Sequence, residues 1–216
     1  PEARLSRLDR DSATLKHLRD TLKHLKTGQL DIVIGTQMIA KGLDLPAVDV
    51  VGVISADTLL FLPDFTAAER TYQLLSQVAG RAGRGDRPGQ VFIQTYSPHH
   101  QAITTAATHS YHDFVTTELA ERAALNFPPF TFLLKLDSSH TDQAAAQETA
   151  EALADQLRRI KGLRVIGPAP AFLETIGGKH HWTITVKSPR RPPLVDIANQ
   201  LAGTSWSVDL DPINLL

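Results

Sequence analysis

The sequence predicts an α/β fold in two parts: a parallel sheet layered with helices, then a small α+β domain built in the order βαββαβ. Three observations carry that prediction. Short apolar runs such as "DIVIG" and "VDVVGVIS" alternate with helix-period stripes up to about residue 97. The double proline of "FPPF", residues 127–130, then stops a long helical stretch. Beyond it, strand and helix patterns recur in the order of a sandwich of one sheet and two helices.

Taken in order, "ARLSRLD" alternates apolar and polar residues as a half-buried strand does. "DSATLKHLRDTLKHLKTG" sets Leu15, Leu18, Leu22 and Leu25 on one helical stripe, with Asp11 or Ser12 to cap its start and Gly28 to end it. "DIVIG" and "VDVVGVIS" are apolar runs typical of strands buried on both faces. "TAAERTYQLLSQVAGRAGR" reads as a helix and "GQVFIQTYS" as a strand. "HHQAITTAATHSYHDFVTTELAERAALN" is mostly helical, and the prolines of "FPPF" fix an extended segment after it. A strand over 130–137, a helix over 142–161, strands in "RVIGPAPAF" and "HWTITVK", a helix over 193–202 and a strand in "WSVDLD" complete the chain. The regions are therefore 1–97, a helical connector 98–127 and a C-terminal domain 128–216.

Lysine plus arginine (22) nearly balances aspartate plus glutamate (23), so any nucleic-acid contact must come from local patches. With no cysteine, the chain makes neither disulfides nor a thiolate zinc site, which fits a reducing, cytoplasmic setting. No apolar run nears the ~18 residues of a membrane span, and no signal peptide is visible. Pro1 opens the chain and Met38 is its only methionine, so an excerpt of a longer protein is expected.

Chemistry concentrates in two stretches. In "QVAGRAGRGD", Gln77, Arg81 and Arg84 share one helical face, and Ala79, Gly80, Ala82 and Gly83 let that face approach another surface closely. Alone, the arginines serve a helix C-terminus equally well, with Gly85 as its cap. Upstream, "DIVIGTQMIAKGLDLP" opens an apolar strand into a polar turn, with Thr36 and Gln37 at the strand's carboxyl edge and Gly42 and Asp44 just beyond. Ligands of open α/β sheets gather at that edge. A hydroxyl and backbone N–H groups suit a phosphate there, and a carboxylate suits a ribose hydroxyl.

"TQMIAKGLD" and "QVAGRAGR" resemble motifs V and VI of superfamily 2 helicases, in the second RecA-like lobe. "RLDRDSATLK", "GTQMIAKG", "DFTAAERTYQLLSQVAGRAGRGDRPGQVFIQTYSP", "LNFPPF", "VIGPAPA" and "VDLDP" together resemble the PriA family of replication-restart DNA helicases, in order and across nearly the whole chain. That resemblance implies a partial RecA-like lobe followed by a domain similar to ribosomal protein S10. It implies a 3′ to 5′ ATP-dependent motor that reloads the replication machinery and assembles the primosome. Arg81 and Arg84 would face the ATP phosphates, with Arg84 as the arginine finger, and Gln77 would orient the motif. Gly42 and Asp44 would meet nucleotide, while Thr36 and Gln37 would couple it to the DNA backbone. Implied partners are forked and single-stranded DNA, the acidic tail of the single-stranded DNA-binding protein, and other primosome proteins.

A complete motor needs a phosphate loop, G-x-x-x-x-G-K-[ST], and an acidic magnesium motif. The nearest candidate, "LETIGGKH", has Gly178 and Lys179 but Leu173 and His180 where glycine and hydroxyl belong. The resemblance puts the ATP- and Mg²⁺-holding lobe, and a cysteine-rich Zn²⁺ module, upstream of residue 1. This chain alone is expected to hydrolyse no ATP. Competing readings are a RecG-like translocase, against which "TQMIAKG" and the tail after "FPPF" argue, and a non-catalytic interaction module built on a helicase-like lobe.

Elsewhere, Trp182 and Lys179 with Lys187, Arg190 and Arg191 around "KSPRRPP" combine an aromatic ring with positive charge, as single-strand binders do. The same charges suit an acidic peptide, and a plain solvated loop explains them too. His99–His100 and His180–His181 are read as structural or surface groups, since strand neighbours point to opposite faces and metal ligands converge. Asp209 and Asp211 share a strand face but read as a solvated strand end.

Overall fold

The computed structural model describes residues 2–8, 14–36, 48–80 and 89–216. The chain divides into two compact units, Pro1–Leu62 with Ala67–Val115, and Pro63–Thr66 with Thr116–Leu216. Among the described residues, no helix is long and apolar enough to cross a membrane.

In the first unit, β1 (Leu5–Leu8) runs parallel to β2 (Ile32–Gly35), with Leu5 opposite Ile32 and Leu8 opposite Gly35. A parallel pair needs a crossover, and α1 (Leu15–Lys26) supplies it. Thr14 caps α1, its side chain accepting from the His17 N–H at 3.2 Å; Asp11 and Ser12 lie outside the described residues. The far end closes as a Schellman motif. Gly28 sits at φ +66, its N–H donating to the Leu25 carbonyl and the Gln29 N–H to that of His24. Arg4 pins the sheet edge by donating through its backbone N and Nε to Asp31 Oδ2, at 2.8 and 2.9 Å.

A second parallel pair joins β3 (Val50–Val53) to β4 (Gln90–Ile93). Between them lie α2 (Asp57–Leu60) and α3 (Ala67–Ala79); α4 (Gln101–Ala107) and α5 (Tyr111–Leu125) follow. The core gathers Leu60, Tyr72, Leu75, Ala102, Ile103 and Phe114, and the Tyr72 and Phe114 rings stack at 4.3 Å. The stretch expected as mostly helix is two helices, because His109 turns the chain at φ +56.

The strands correct one expectation. Ile32, Ile34 and Val50 are 45–56% exposed rather than buried. An all-apolar run offers two apolar faces, but among the described residues these two-stranded ladders leave much of that surface uncovered.

The second unit runs β5 (Phe132–His140), α6 (Gln143–Arg158), β6 (Arg164–Ile176), β7 (Lys179–Ser188), α7 (Pro192–Leu201), β8 (Ser207–Leu210). All four strands pair antiparallel in the order β6-β7-β5-β8. Leu134 and Leu136 of β5 stand opposite Val186 and Ile184 of β7, and these four are fully buried. Asp142 caps α6 by accepting from the Ala145 N–H at 2.8 Å. The stripe Ala146, Ala150, Ala154 and Leu157 then lets that helix pack close. Leu194 and Ile197 bring α7 onto the same core.

"FPPF" forms a turn, not an extended segment. The Phe130 N–H donates to the Phe127 carbonyl at 3.1 Å, and the Pro128–Pro129 peptide is cis. Proline fixes φ and removes a donor, which ends the helix without deciding the direction of the chain after it.

Candidate functional site

β2 ends at Gly35 and leaves Thr36 exposed at its carboxyl edge, the placement its sequence anticipates. Gln77 is exposed in the last turn of α3. The helix spends Ala67, Thr71, Tyr72, Leu75 and Val78 on the interior, and Gln77 lies off that stripe. Gln37, Gly42, Asp44, Arg81 and Arg84 lie outside the described residues. The fold therefore presents two members of the expected constellation, one at a strand end and one at a helix end.

A polar group at the end of β3 was not anticipated. Asp57 Oδ1 accepts from Thr95 Oγ1 at 2.9 Å, and both its oxygens accept from the Tyr96 N–H at 3.1–3.2 Å. Asp57 thus ties the carboxyl ends of β3 and β4 together while Tyr96 stays 92% exposed. Ser55 sits at φ +62 beside it, with Oγ 3.0 Å from Thr58 Oγ1. The signal was "ISADT", polar groups directly after an apolar strand, where a parallel sheet gathers function.

In the second unit, two expected ligand-binding residues are interior. Trp182 is 9% exposed and packs with Ala146, Ala150 and Trp206, which leaves no open ring face for a base. Lys187 belongs to β7, not to the loop, and is 4% exposed. Its Nζ donates to the Leu125 carbonyl at 3.1 Å and lies 3.2 Å from the centre of the Phe127 ring. Burial, and then the charge of Arg164, lower its pKa to about 8. A cation so engaged contacts no partner without breaking those bonds.

Arg190 and Arg191 are exposed. Arg191 directly precedes α7 and donates through Nε to Asp211 Oδ2 at 2.7 Å, with both side chains partly open to solvent. Asp211 thereby acts as an ion-pair partner, while Asp209 stands opposite Lys135 in the β5–β8 ladder. His100 caps α4, its Nδ1 accepting from the Ala102 N–H at 3.2 Å. His180 stands across from both His140 and Thr175. Among the described residues, no group of three or more His, Asp or Glu side chains is arranged to hold a metal ion. "IGGK" is a hairpin corner: Gly177 and Gly178 both have positive φ, +59 and +75, as a two-residue β6–β7 turn requires.

Residues 4–86 match the helicase conserved C-terminal domain, and residues 123–213 match the primosomal protein N C-terminal domain. The chain is similar to the replication restart protein PriA of Synechocystis sp., 38% identical over 223 residues, spanning 100% of this chain and 27% of the relative. The PriA of Bacillus subtilis is 43% identical over 190 residues (87% and 24%), and that of Treponema pallidum 37% over 225 residues (100% and 34%). The chain covers between 24% and 34% of the length of these relatives. With two domain matches in sequence order and such identity over its whole length, the chain belongs to the replication restart protein PriA family and carries its helicase C-terminal and primosomal C-terminal domains.

Proposed function

We propose that these residues are the second-lobe and C-terminal parts of an ATP-dependent DNA helicase that moves 3′ to 5′ and restarts stalled replication forks. The observation that carries this reading is the placement of Gln77. It is exposed at the end of α3, off the buried stripe, and leads directly into the "AGRAGR" arginines. In the proposed cycle Arg84, with Arg81 beside it, delivers a guanidinium to the triphosphate. Charge building on the transferring phosphoryl group is stabilised by a donor already in place. Gln77 orients the pair, Gly42 and Asp44 meet the nucleotide, and Thr36 and Gln37 sense the DNA backbone.

ATP and Mg²⁺ are held chiefly by a first lobe in this scheme. In the same scheme a cysteine-rich module elsewhere in the full protein holds Zn²⁺, and this chain, with no cysteine, supplies none of its thiolates. The second unit, with its order βαββαβ, is read as a domain similar to ribosomal protein S10, and the whole as a cytoplasmic protein. Arg190 and Arg191 are its proposed contacts to single-stranded DNA or to the acidic tail of the single-stranded DNA-binding protein. Other primosome proteins are partners of the full assembly.

The test is Arg84→Ala in the full-length protein. ATP hydrolysis should fall roughly 10³-fold or more while nucleotide binding changes little, as for arginine fingers generally. Hydrolysis at the wild-type rate would remove Arg84 from the mechanism.

A further inference from the structure

The chain balances its charges overall, yet "RRIKGLR", residues 158–164, sets four cations among seven residues with no acid between them. These residues join the end of α6 to the start of β6 within the second unit. Leu157 is buried and Leu163 packs against the same core, so the turn is anchored on both sides. Between them the Arg159 N–H donates to the Gln156 carbonyl at 3.2 Å, and the Ile160 N–H to that of Leu157 at 3.1 Å. Gly162 then turns the chain at φ +87.

The four cations do not share one task. Arg158 is engaged within the fold, its Nη1 donating to Asp155 Oδ1 at 2.8 Å and its Nη2 to the Gly167 carbonyl. It also stands in the last turn of α6, where positive charge suits the helix dipole. Arg159, Lys161 and Arg164 are exposed and form no ion pair among the described residues. Lys161 and Arg164 lie past the helix end, and the dipole does not account for them. Arg164 stands directly opposite Lys187 in the β6–β7 ladder. Like charges so placed destabilise a sheet, and after burial the charge of Arg164 is the second cause that lowers the Lys187 pKa. Cations that the fold gathers and does not neutralise are the footprint of an anionic partner.

The chemistry of the turn narrows that partner. Ile160 is its one exposed large apolar side chain, and it is aliphatic. Binders of single strands add aromatic faces to their charge. Charge alone suits the phosphates of a duplex, gripped without reading the bases. We propose that Arg159, Lys161 and Arg164 form a DNA contact of the second unit, additional to Arg190 and Arg191, that holds the phosphate backbone of a duplex arm. DNA as the ligand rests on the function proposed above, while the exposed charge does not.

The experiment measures full-length protein binding to a blunt duplex and to a thymidine oligonucleotide, by fluorescence anisotropy from about 50 to 200 mM salt. Replacing Arg159, Lys161 and Arg164 together with glutamine should weaken duplex binding at least tenfold at the low-salt end. The slope of log affinity against log salt should become shallower by roughly 2.7, about 0.9 for each phosphate lost. Arg159→Lys with Arg164→Lys should restore the wild-type slope, because it keeps the charges. Should the triple variant fail to fold, Lys161→Gln alone carries the test with a slope change of about 0.9. An unchanged duplex slope overturns the contact, and so does a loss confined to an acidic peptide. An equal loss for the oligonucleotide overturns the duplex assignment. A wild-type protein that binds the duplex but hydrolyses no ATP overturns the functional reading instead, and the salt slope still decides the contact.

Discussion

At Lys187 a four-carbon stem carries an ammonium into a site that is 4% exposed, against an aromatic ring and a carbonyl at the end of α5. Both contacts favour the charged form, yet burial prevails and lowers the pKa from 10.5 to about 8. Between those values the unfolded chain binds the proton more tightly than the folded one. Stability therefore rises with pH across that window, and the cost of the buried charge is fully present below it. Lys187→Met removes the titration. Unfolding by denaturant at pH 7 and pH 10 should show wild type gaining about 1 kcal/mol on the variant, after discounting for solvent screening. A difference that does not move with pH would mean the amine titrates normally. Asp31 is the opposite case, where the hydrogen bonds from Arg4 hold an exposed carboxylate below its usual range.

Elements show what a single sequence discloses and what it withholds. The strands around "DIVIG", "VDVVGVIS" and "GQVFIQTYS" were legible because period and apolar content are local properties. Their exposure was not, because covering a face depends on other elements. β7 makes the same point at the candidate site. Trp182 and Lys187 read as an aromatic and a cation near a basic loop, but the sequence does not say that α6 covers the ring or that α5 ends over the amine. Arg190 and Arg191 were legible because charged side chains in a turn ahead of a helix seldom bury. They now carry the binding expectation without those neighbours. Replacing both with alanine should weaken binding of single-stranded DNA and of an acidic peptide about tenfold at low salt, with a shallower salt dependence. Equal affinities for both ligands before and after would leave the pair as ordinary surface. Asp211→Asn, which frees Arg191 from its ion pair, should shift binding the other way.

At the scale of the molecule, the chain assembles one unit of parallel pairs and helices and one antiparallel sandwich, and it spans at most about a third of the length of its relatives quoted above. Hydrolysing a triphosphate takes a loop that grips the phosphates, an acidic group for Mg²⁺ and a finger for the transition state. These 216 residues carry neither a G-x-x-x-x-G-K-[ST] pattern nor a D-E-x-H run, and in the proposed scheme they supply the finger alone. The one glycine–lysine stretch that approaches a phosphate loop is the β6–β7 hairpin corner, its backbone committed to a turn with positive φ at both glycines. Proteins missing one such part lose orders of magnitude in rate, and in the proposed scheme two of them lie in the first lobe. The isolated chain, given Mg²⁺, ATP and single-stranded DNA, should therefore release no phosphate above the buffer rate, while its circular dichroism should be that of a folded α/β protein. Turnover that scales with chain concentration and disappears in Arg84→Ala would prove the opposite: that a complete site exists within these residues, and that the arginines need no second lobe.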